Sequence, residues 1–252
     1  MGEFLGAKLY REPNIKIAWF STQISTSHTK NTELWKQKLA TLNLIDDSEF
    51  PFHLCPERCL FIHEHRLLVI GDIHVGRVQH MRKNGLAVPS MAAKRDLDRL
   101  IRVLTTYKPK SCLFLGDLFH SLPNSEWPEL FKALETFPHT QFLLITGNHD
   151  RFVANHLPQN WEQHSQWELD GIRFCHEPSE QSGFEICGHL HPTYHLRGKG
   201  RQSLRLPCFW LSHNRLVLPA FSSLAGGYNI CPEKGQRVFI SNGQSVSEVA
   251  IP

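Results

Sequence analysis

From about residue 50 onward, short apolar runs alternate with amphipathic stretches. The runs occupy 67–70, 112–115, 141–145, 172–174, 184–187, 215–218 and 237–240, each short enough for a strand and bounded by polar or glycine-containing text. Between the first three lie segments of helical period. Over 91–106 the apolar residues Leu97, Leu100, Ile101 and Leu104 recur at i, i+3, i+4, i+7, and over 127–136 Leu130, Phe131 and Leu134 repeat the pattern. Strand–helix alternation of this kind predicts a parallel sheet buried on both faces. The later runs follow one another with fewer helices between them, which predicts a second, mixed or antiparallel sheet.

Residues 1–45 read differently. The stretch STQISTSHTKNTELWKQKL is polar and weakly periodic, with only 32–42 able to form a short helix around Leu34, Trp35 and Leu39. This region is expected to be an N-terminal extension, poorly ordered or loosely docked, ahead of one domain over 46–252.

The chemistry lies at the ends of the strands. Four runs finish alike: LLVI-Gly71-Asp72-Ile73-His74, CLFL-Gly116-Asp117, FLLIT-Gly147-Asn148-His149-Asp150 and FEIC-Gly188-His189-Leu190-His191. Each is a buried strand, then a glycine that lets the backbone turn and approach closely, then a metal-capable side chain. Groups placed just beyond the carboxyl ends of parallel strands share one crevice. In extended chain, i and i+2 project to one side, so Asp72 with His74 and His189 with His191 are expected to supply paired ligands. His176, after the strand IRFC, completes a set of two carboxylates, four imidazoles and one amide oxygen. Such donors suit Mn²⁺, Fe²⁺ or Zn²⁺ better than Ca²⁺ or an iron–sulfur cluster.

The ordered set GDxH, GD, GNHD, H and GHxH resembles that of the calcineurin-like metallophosphoesterase superfamily. That resemblance covers about residues 50–250. It implies a four-layer α-β-β-α sandwich holding two divalent metal ions between its sheets. One ion would be held by Asp72, His74 and His191, the other by Asn148, His176 and His189, with Asp117 bridging. His149 would protonate the leaving group or stabilise the transition state, with Asp150 orienting its imidazole. The segments GDIHVGRVQHMRKNGLAVP, GDLFHS, GNHDR, GHLHP and RGKGRQSLRLPCFW resemble more closely the ligase-associated DNA damage response endonuclease group. This implies a DNA substrate, with a DNA ligase and a helicase as functional partners. GDLFH is also similar to SbcD-type repair nucleases, which places His120 near the scissile phosphate; capping the turn after its strand is the alternative.

Charge and composition change the picture modestly. The 252-residue chain carries a net charge of +3, which permits contact with nucleic acid without arguing for it. The local distribution says more. Arg197, Lys199, Arg201, Arg205 and Arg215 occur with no acidic residue among them and with Phe209 and Trp210 interleaved. This reads either as a phosphate track with stacking aromatics or as a solvated hairpin whose aromatics enter the core. Arg77, His80, Arg82 and Lys83 flank the first motif, as a cleft wall or as an exposed helix face. Arg151 suits a phosphate or a salt bridge. Of seven cysteines, Cys112, Cys175 and Cys187 lie inside apolar runs and read as reduced and buried; Cys55 and Cys59 read as structural thiols at a turn. With no signal-peptide pattern or membrane-length apolar window, a cytoplasmic protein is expected. Two rival readings remain, a phosphatase or phosphodiesterase acting on a small molecule or nucleotide, and a metal-free interaction scaffold. The text Gly116-Asp117-Leu118-Phe119-His120 lacks the Asp-Arg pair of protein phosphatases, and no ligand position is missing.

Overall fold

The computed structural model describes residues 52–150, 152–153, 156–198, 200 and 202–251. The 1–45 extension, Arg151, Lys199 and Arg201 lie outside the described residues. Two sheets face one another. The first has the order β1-β2-β3-β4-β5-β6. Its strands are β1 (Phe52–Cys55), β2 (Cys59–Ile62), β3 (Leu67–Ile70), β4 (Ser111–Leu115), β5 (Gln141–Ile145) and β6 (Glu162–His164). β1 to β3 form an antiparallel meander, and β3 to β6 run parallel. Three helices interrupt them: α1 (Arg77–Lys83), α2 (Met91–Tyr107) and α3 (Glu126–Leu134).

The second sheet runs β13-β10-β11-β12-β9-β8-β7, with β14 paired to β11 and β15 to β14. It is built from β7 (Gln166–Leu169), β8 (Ile172–Cys175), β9 (Phe184–Cys187), β10 (Pro192–Arg197), β11 (Ser203–Leu211), β12 (Arg215–Val217), β13 (Tyr228–Asn229), β14 (Arg237–Ser241) and β15 (Val246–Val249). It is mixed: β8, β9 and β12 run parallel, whereas β10 to β12 and β14 are antiparallel neighbours.

Period-two alternation divides each central strand between two cores. Leu67 and Val69 enter the layer between the sheets with Leu113, Leu143, Phe174, Ile186, Phe209 and Phe239. Leu68 and Ile70 turn the other way, against Leu100, Val103 and Leu104 of α2 and Trp127, Leu130 and Leu134 of α3. Burial on both faces is why these strands read as unbroken apolar runs. Among the described residues the helices cover the first sheet only, accounting for three layers, α-β-β. At α1 the helix start is capped from elsewhere, because the Glu126 carboxylate accepts the N–H groups of Gly76 at 2.7 Å and Gln79 at 3.1 Å. Cys55 and Cys59 face each other across the β1–β2 hairpin; both are free and buried, in line with a structural role. No helix among the described residues is long and apolar enough to cross a membrane.

Candidate metal centre

Asp72, Asp117, Asn148, His176 and His189 follow β3, β4, β5, β8 and β9, and His191 immediately precedes β10. The carboxyl ends of five parallel strands from two sheets therefore converge on one crevice. The local backbone is not extended there, as the i, i+2 argument assumed. Asp72 (φ 56°), His74 (φ 53°), Asp117 (φ 48°), His189 (φ 64°) and His191 (φ 48°) all occupy the left-handed region. Each such residue costs on the order of 1–3 kcal/mol and persists only where its surroundings enforce it. Here adjoining loops lock one another: His74 N–H donates to the Asp117 carbonyl at 2.9 Å, Val75 to Leu118 at 2.8 Å, and Gly188 to His176 at 3.0 Å. The two pairs still converge, by paired left-handed turns rather than by strand alternation.

Three of the strand-end glycines are required by this packing; a Cβ on Gly147 would lie 2.3 Å from the Asp117 backbone nitrogen. A Cβ on Gly188 would lie 2.5 Å from Asp72 Oδ2, and one on Gly116 (φ +81°) would lie 2.2 Å from His176 Nδ1.

The side chains fall into two abutting triads, Asp72–His74–His191 and Asp117–His176–His189, whose donor atoms lie within 4.8 Å of one another in each triad. His191 Nε2 is 3.1 Å from Asp72 Oδ1 and 3.4 Å from His74 Nε2. His176 Nε2 is 3.1 Å from His189 Nδ1 and 3.0 Å from Asn148 Oδ1. Asp117, a member of the second triad, also reaches toward the first, with Oδ1 3.4 Å from His176 Nε2 and Oδ2 3.9 Å from His74 Nε2. Asp72, His74, Asp117 and His176 are buried.

This donor set fits a metal pair. Ring nitrogens face each other, His74 Nε2 with His191 Nε2 and His176 Nε2 with His189 Nδ1, and the Asn148 oxygen is turned against the Asp117 carboxylate as well as His176 Nε2, an oxygen–oxygen conflict that rotating the amide would also relieve. A cation between the groups resolves the same conflict without rotation. The outer ring nitrogens are held in the manner usual for metal-binding imidazoles: His176 Nδ1 lies 3.1 Å from the Leu115 carbonyl and His191 Nδ1 3.3 Å from the Ala225 carbonyl.

Burial and charge poise these groups differently. Burial drives His74 down to about 2, with His191 and Arg77 adding to the effect and Asp117 opposing it. Burial would raise Asp117, but hydrogen bonds from His176 and the His149 backbone N–H outweigh it and lower the carboxyl to about 2. For His176 burial again works against charge, yet the Asp117 hydrogen bond and the charges of Asp72 and Asp117 push it up to about 9. A proton on His176 thus supplies the positive charge that the cluster otherwise lacks.

His149 and His120 adjoin the first triad, their nitrogens grouped with that of His74 within 4.8 Å. Their rings stack at 5.0 Å, and His149 Nδ1 is 3.1 Å from the His120 carbonyl. Burial, with Arg77 and His149, lowers His120 to about 4, leaving it neutral near pH 7. Arg77, on α1, has a buried Nε without a hydrogen-bond partner and acts on both His74 and His120.

Asp150 departs from its expected place. Its buried carboxylate accepts the N–H groups of Phe119 at 3.0 Å, Gly147 at 3.0 Å and Leu118 at 3.3 Å, and not the His149 ring. A short acidic side chain among unpaired amides satisfies backbone donors first; Asp150 organises the two loops, and the His120 carbonyl meets the imidazole. Phe209 and Trp210 also differ from the stacking alternative. Phe209 is fully buried between the sheets, and Trp210 packs half-buried on the outer face with Nε1 donating to Gln236 at 2.8 Å. Arg215 is paired with buried Glu185. Arg197 and Arg205 are exposed.

One support has no sequence signal. Asp96, on α2, is buried, accepting Ser223 N–H at 3.0 Å and lying 3.2 Å from Ser222 Oγ. Arg99 joins it at 2.9 Å and bonds the Phe221 carbonyl. The tethered loop donates from Phe221 to the Gly71 carbonyl and from Ser222 to the Asp72 carbonyl, and it supplies the Ala225 carbonyl to His191.

Two sheets presenting loop-borne imidazoles and carboxylates in paired triads, with a family match, define a metal-dependent phosphoesterase. The calcineurin-like phosphoesterase family model matches residues 65–232, and the chain belongs to that family, which uses a dinuclear metal site. Among solved structures, the nuclease MPE of Pseudomonas putida is similar over 78% of this chain and 94% of that one, at 25% identity and a TM-score of 0.66. Yfce, a phosphoesterase from E. coli, aligns over 74% of this chain and 99% of that one, at 18% identity and a TM-score of 0.37. No curated protein sequence matches the chain.

Proposed function

We propose that this phosphoesterase hydrolyses phosphodiester bonds in nucleic acid, as a DNA-repair-associated endonuclease in the cytoplasm. The observation that carries the reading is Asp117 of the second triad reaching to 3.9 Å from His74 of the first, with His149 and His120 beside them. In this scheme Asp72, His74 and His191 hold one divalent ion and Asn148, His176 and His189 the other, with Mn²⁺ the best match to the mixed oxygen and nitrogen donors. Bound there, the ions would neutralise phosphoryl charge and acidify a water. His149 delivers a proton to the departing oxygen, its Nδ1 anchored by the His120 carbonyl so that Nε2 is left to act. Arg77 and His120 meet the phosphoryl oxygens. The likeness to a nuclease supports a diester substrate in nucleic acid. The motif resemblance further implies work alongside a DNA ligase and a helicase.

The test is a Mn²⁺-supplemented assay of the purified protein on bis-p-nitrophenyl phosphate, p-nitrophenyl phosphate, and single- and double-stranded oligonucleotides. Cleavage of the diesters with little monoesterase activity is expected. A preference for the monoester would replace this reading with a phosphatase.

Metal loading carries its own pH signature. A histidine raised to about 9 in the metal-free fold contributes stability that is complete below its ordinary 6.5 and lost as pH rises through 9. A ligand must be neutral, so an ion entering the His176 site has to displace that proton. Apparent Mn²⁺ affinity should rise about tenfold per pH unit from roughly 7 to 9 and then level. Calorimetry in buffers of different ionisation heat should show about one proton released at pH 7. A flat affinity profile with no proton release would remove His176 from the ligand set.

A further inference from the structure

The β10–β11 hairpin has two chemically distinct sides. Its register pairs Thr193 with Pro207, His195 with Arg205 and Arg197 with Ser203. Residues directly opposite one another share a side, and sides alternate along each strand. Thr193, His195, Arg197, Ser203 and Arg205 therefore lie together, with Tyr194, Leu196, Leu204 and Leu206 behind them. Farther along β11 the same alternation puts Phe209 and Leu211 in the core between the sheets, whereas Cys208 and Trp210 join Tyr194 in the outer cluster. The basic side is thus the inner face of the second sheet. Where β10 and β11 run out beyond the core, apolar packing gives way to exposed arginines.

Three observations separate this face from an ordinary solvated surface. It starts at the metal centre: His191 immediately precedes β10, and at about 3.3 Å per residue Arg197 stands roughly 20 Å along the chain from it. No acidic residue occurs between His191 and Arg215. Within the segment Arg215 is held by buried Glu185, whereas among the described residues Arg197 and Arg205 have no acidic partner and are exposed. Because the aromatics of the segment are packed away, the face offers charge without a stacking platform.

We infer that the inner face of the β10–β11 hairpin, through His195, Arg197 and Arg205, is a docking track for the phosphodiester backbone of a nucleic-acid strand whose scissile phosphate lies at the metal centre. The inference rests on the nuclease reading and extends it to the means of holding the strand. A track of this kind reads backbone charge, so binding depends steeply on salt and little on sequence or sugar.

The experiment compares wild type, Arg197→Gln/Arg205→Gln, and a charge-matched control, Lys110→Ala/Lys132→Ala. Lys110 precedes β4, at the end opposite the metal centre, and Lys132 lies on α3. Substrates are a single-stranded DNA 30-mer, the RNA of the same sequence, and bis-p-nitrophenyl phosphate. In the arginine variant, kcat/KM on both oligomers should fall about tenfold at low salt, with a much smaller loss on the small diester. The slope of log affinity against log salt should fall by about 1.4, or about 0.7 per lost phosphate contact. Equal losses on oligomers and small diester, an equal loss in the lysine control, or a loss confined to DNA or RNA would overturn the track. If wild type cuts the small diester but neither oligomer, the nuclease reading fails and takes the track with it. If wild type and arginine variant cut oligomers with the same salt slope, only the track fails.

Discussion

Asp117→Asn should lower phosphodiester hydrolysis by about a thousandfold or more while leaving the fold intact. The substitution keeps shape and size, and a carbonyl oxygen at the Oδ1 position can still accept the His149 backbone N–H now held at 2.9 Å. What disappears is one negative charge between two imidazole groups, 3.9 Å from His74 Nε2 and 3.4 Å from His176 Nε2. In its place an amide N–H₂ faces atoms that should grip cations. Because the carboxyl is held to about 2, the native side chain is ionised at any working pH, and no acidic condition short of unfolding imitates the variant. Metal analysis of the purified variant should show ions lost from both triads together. Retention of full metal content with activity within tenfold of wild type would mean that Asp117 does not bridge.

The second large effect separates chemistry from metal binding. His149→Ala should reduce turnover on an oligonucleotide by about 10²–10⁴, the range for losing a positioned proton donor, with metal content unchanged. The imidazole lies outside the two triads, and the alanine backbone still donates its N–H to Asp117. The loss should be much smaller on bis-p-nitrophenyl phosphate, whose leaving group departs without protonation. A stacked His120 at 5.0 Å, lowered by burial to about 4, remains in place but is neutral near pH 7 and a poor substitute donor. Metal loss in His149→Ala, or equal damage on both substrates, would reassign the residue to the ligand set or to general architecture.

Much of this centre is legible before folding because glycine followed by a donor at a strand end is a local signal. The runs ending at Gly71, Gly116, Gly147 and Gly188 are buried on both faces, so their apolar text is continuous and their ends are sharp. The strands that escaped reading have a different physical character. β6 and β7 have only exposed and half-buried positions, and β10 and β11 leave the core at the hairpin. Their pairing depends on partners distant in the chain. β1 and β2 are apolar but flank CPERC, whose turn text dominates a reading of two four-residue strands.

The order of donors along the chain is set by the sequence alone: which residues carry charge or a lone pair, and that each follows a strand able to bury itself. Tertiary structure decided the rest. Left-handed φ values at five donor residues are imposed by interlocking loops and not by local propensity, which disfavours them for Asp and His alike. Asp150 was drawn to unpaired backbone amides, Phe209 into the inter-sheet core, and Asp96 beneath the loop that holds His191. Each outcome is a competition between satisfied polar groups and buried area, and that competition exists only once distant segments are brought together.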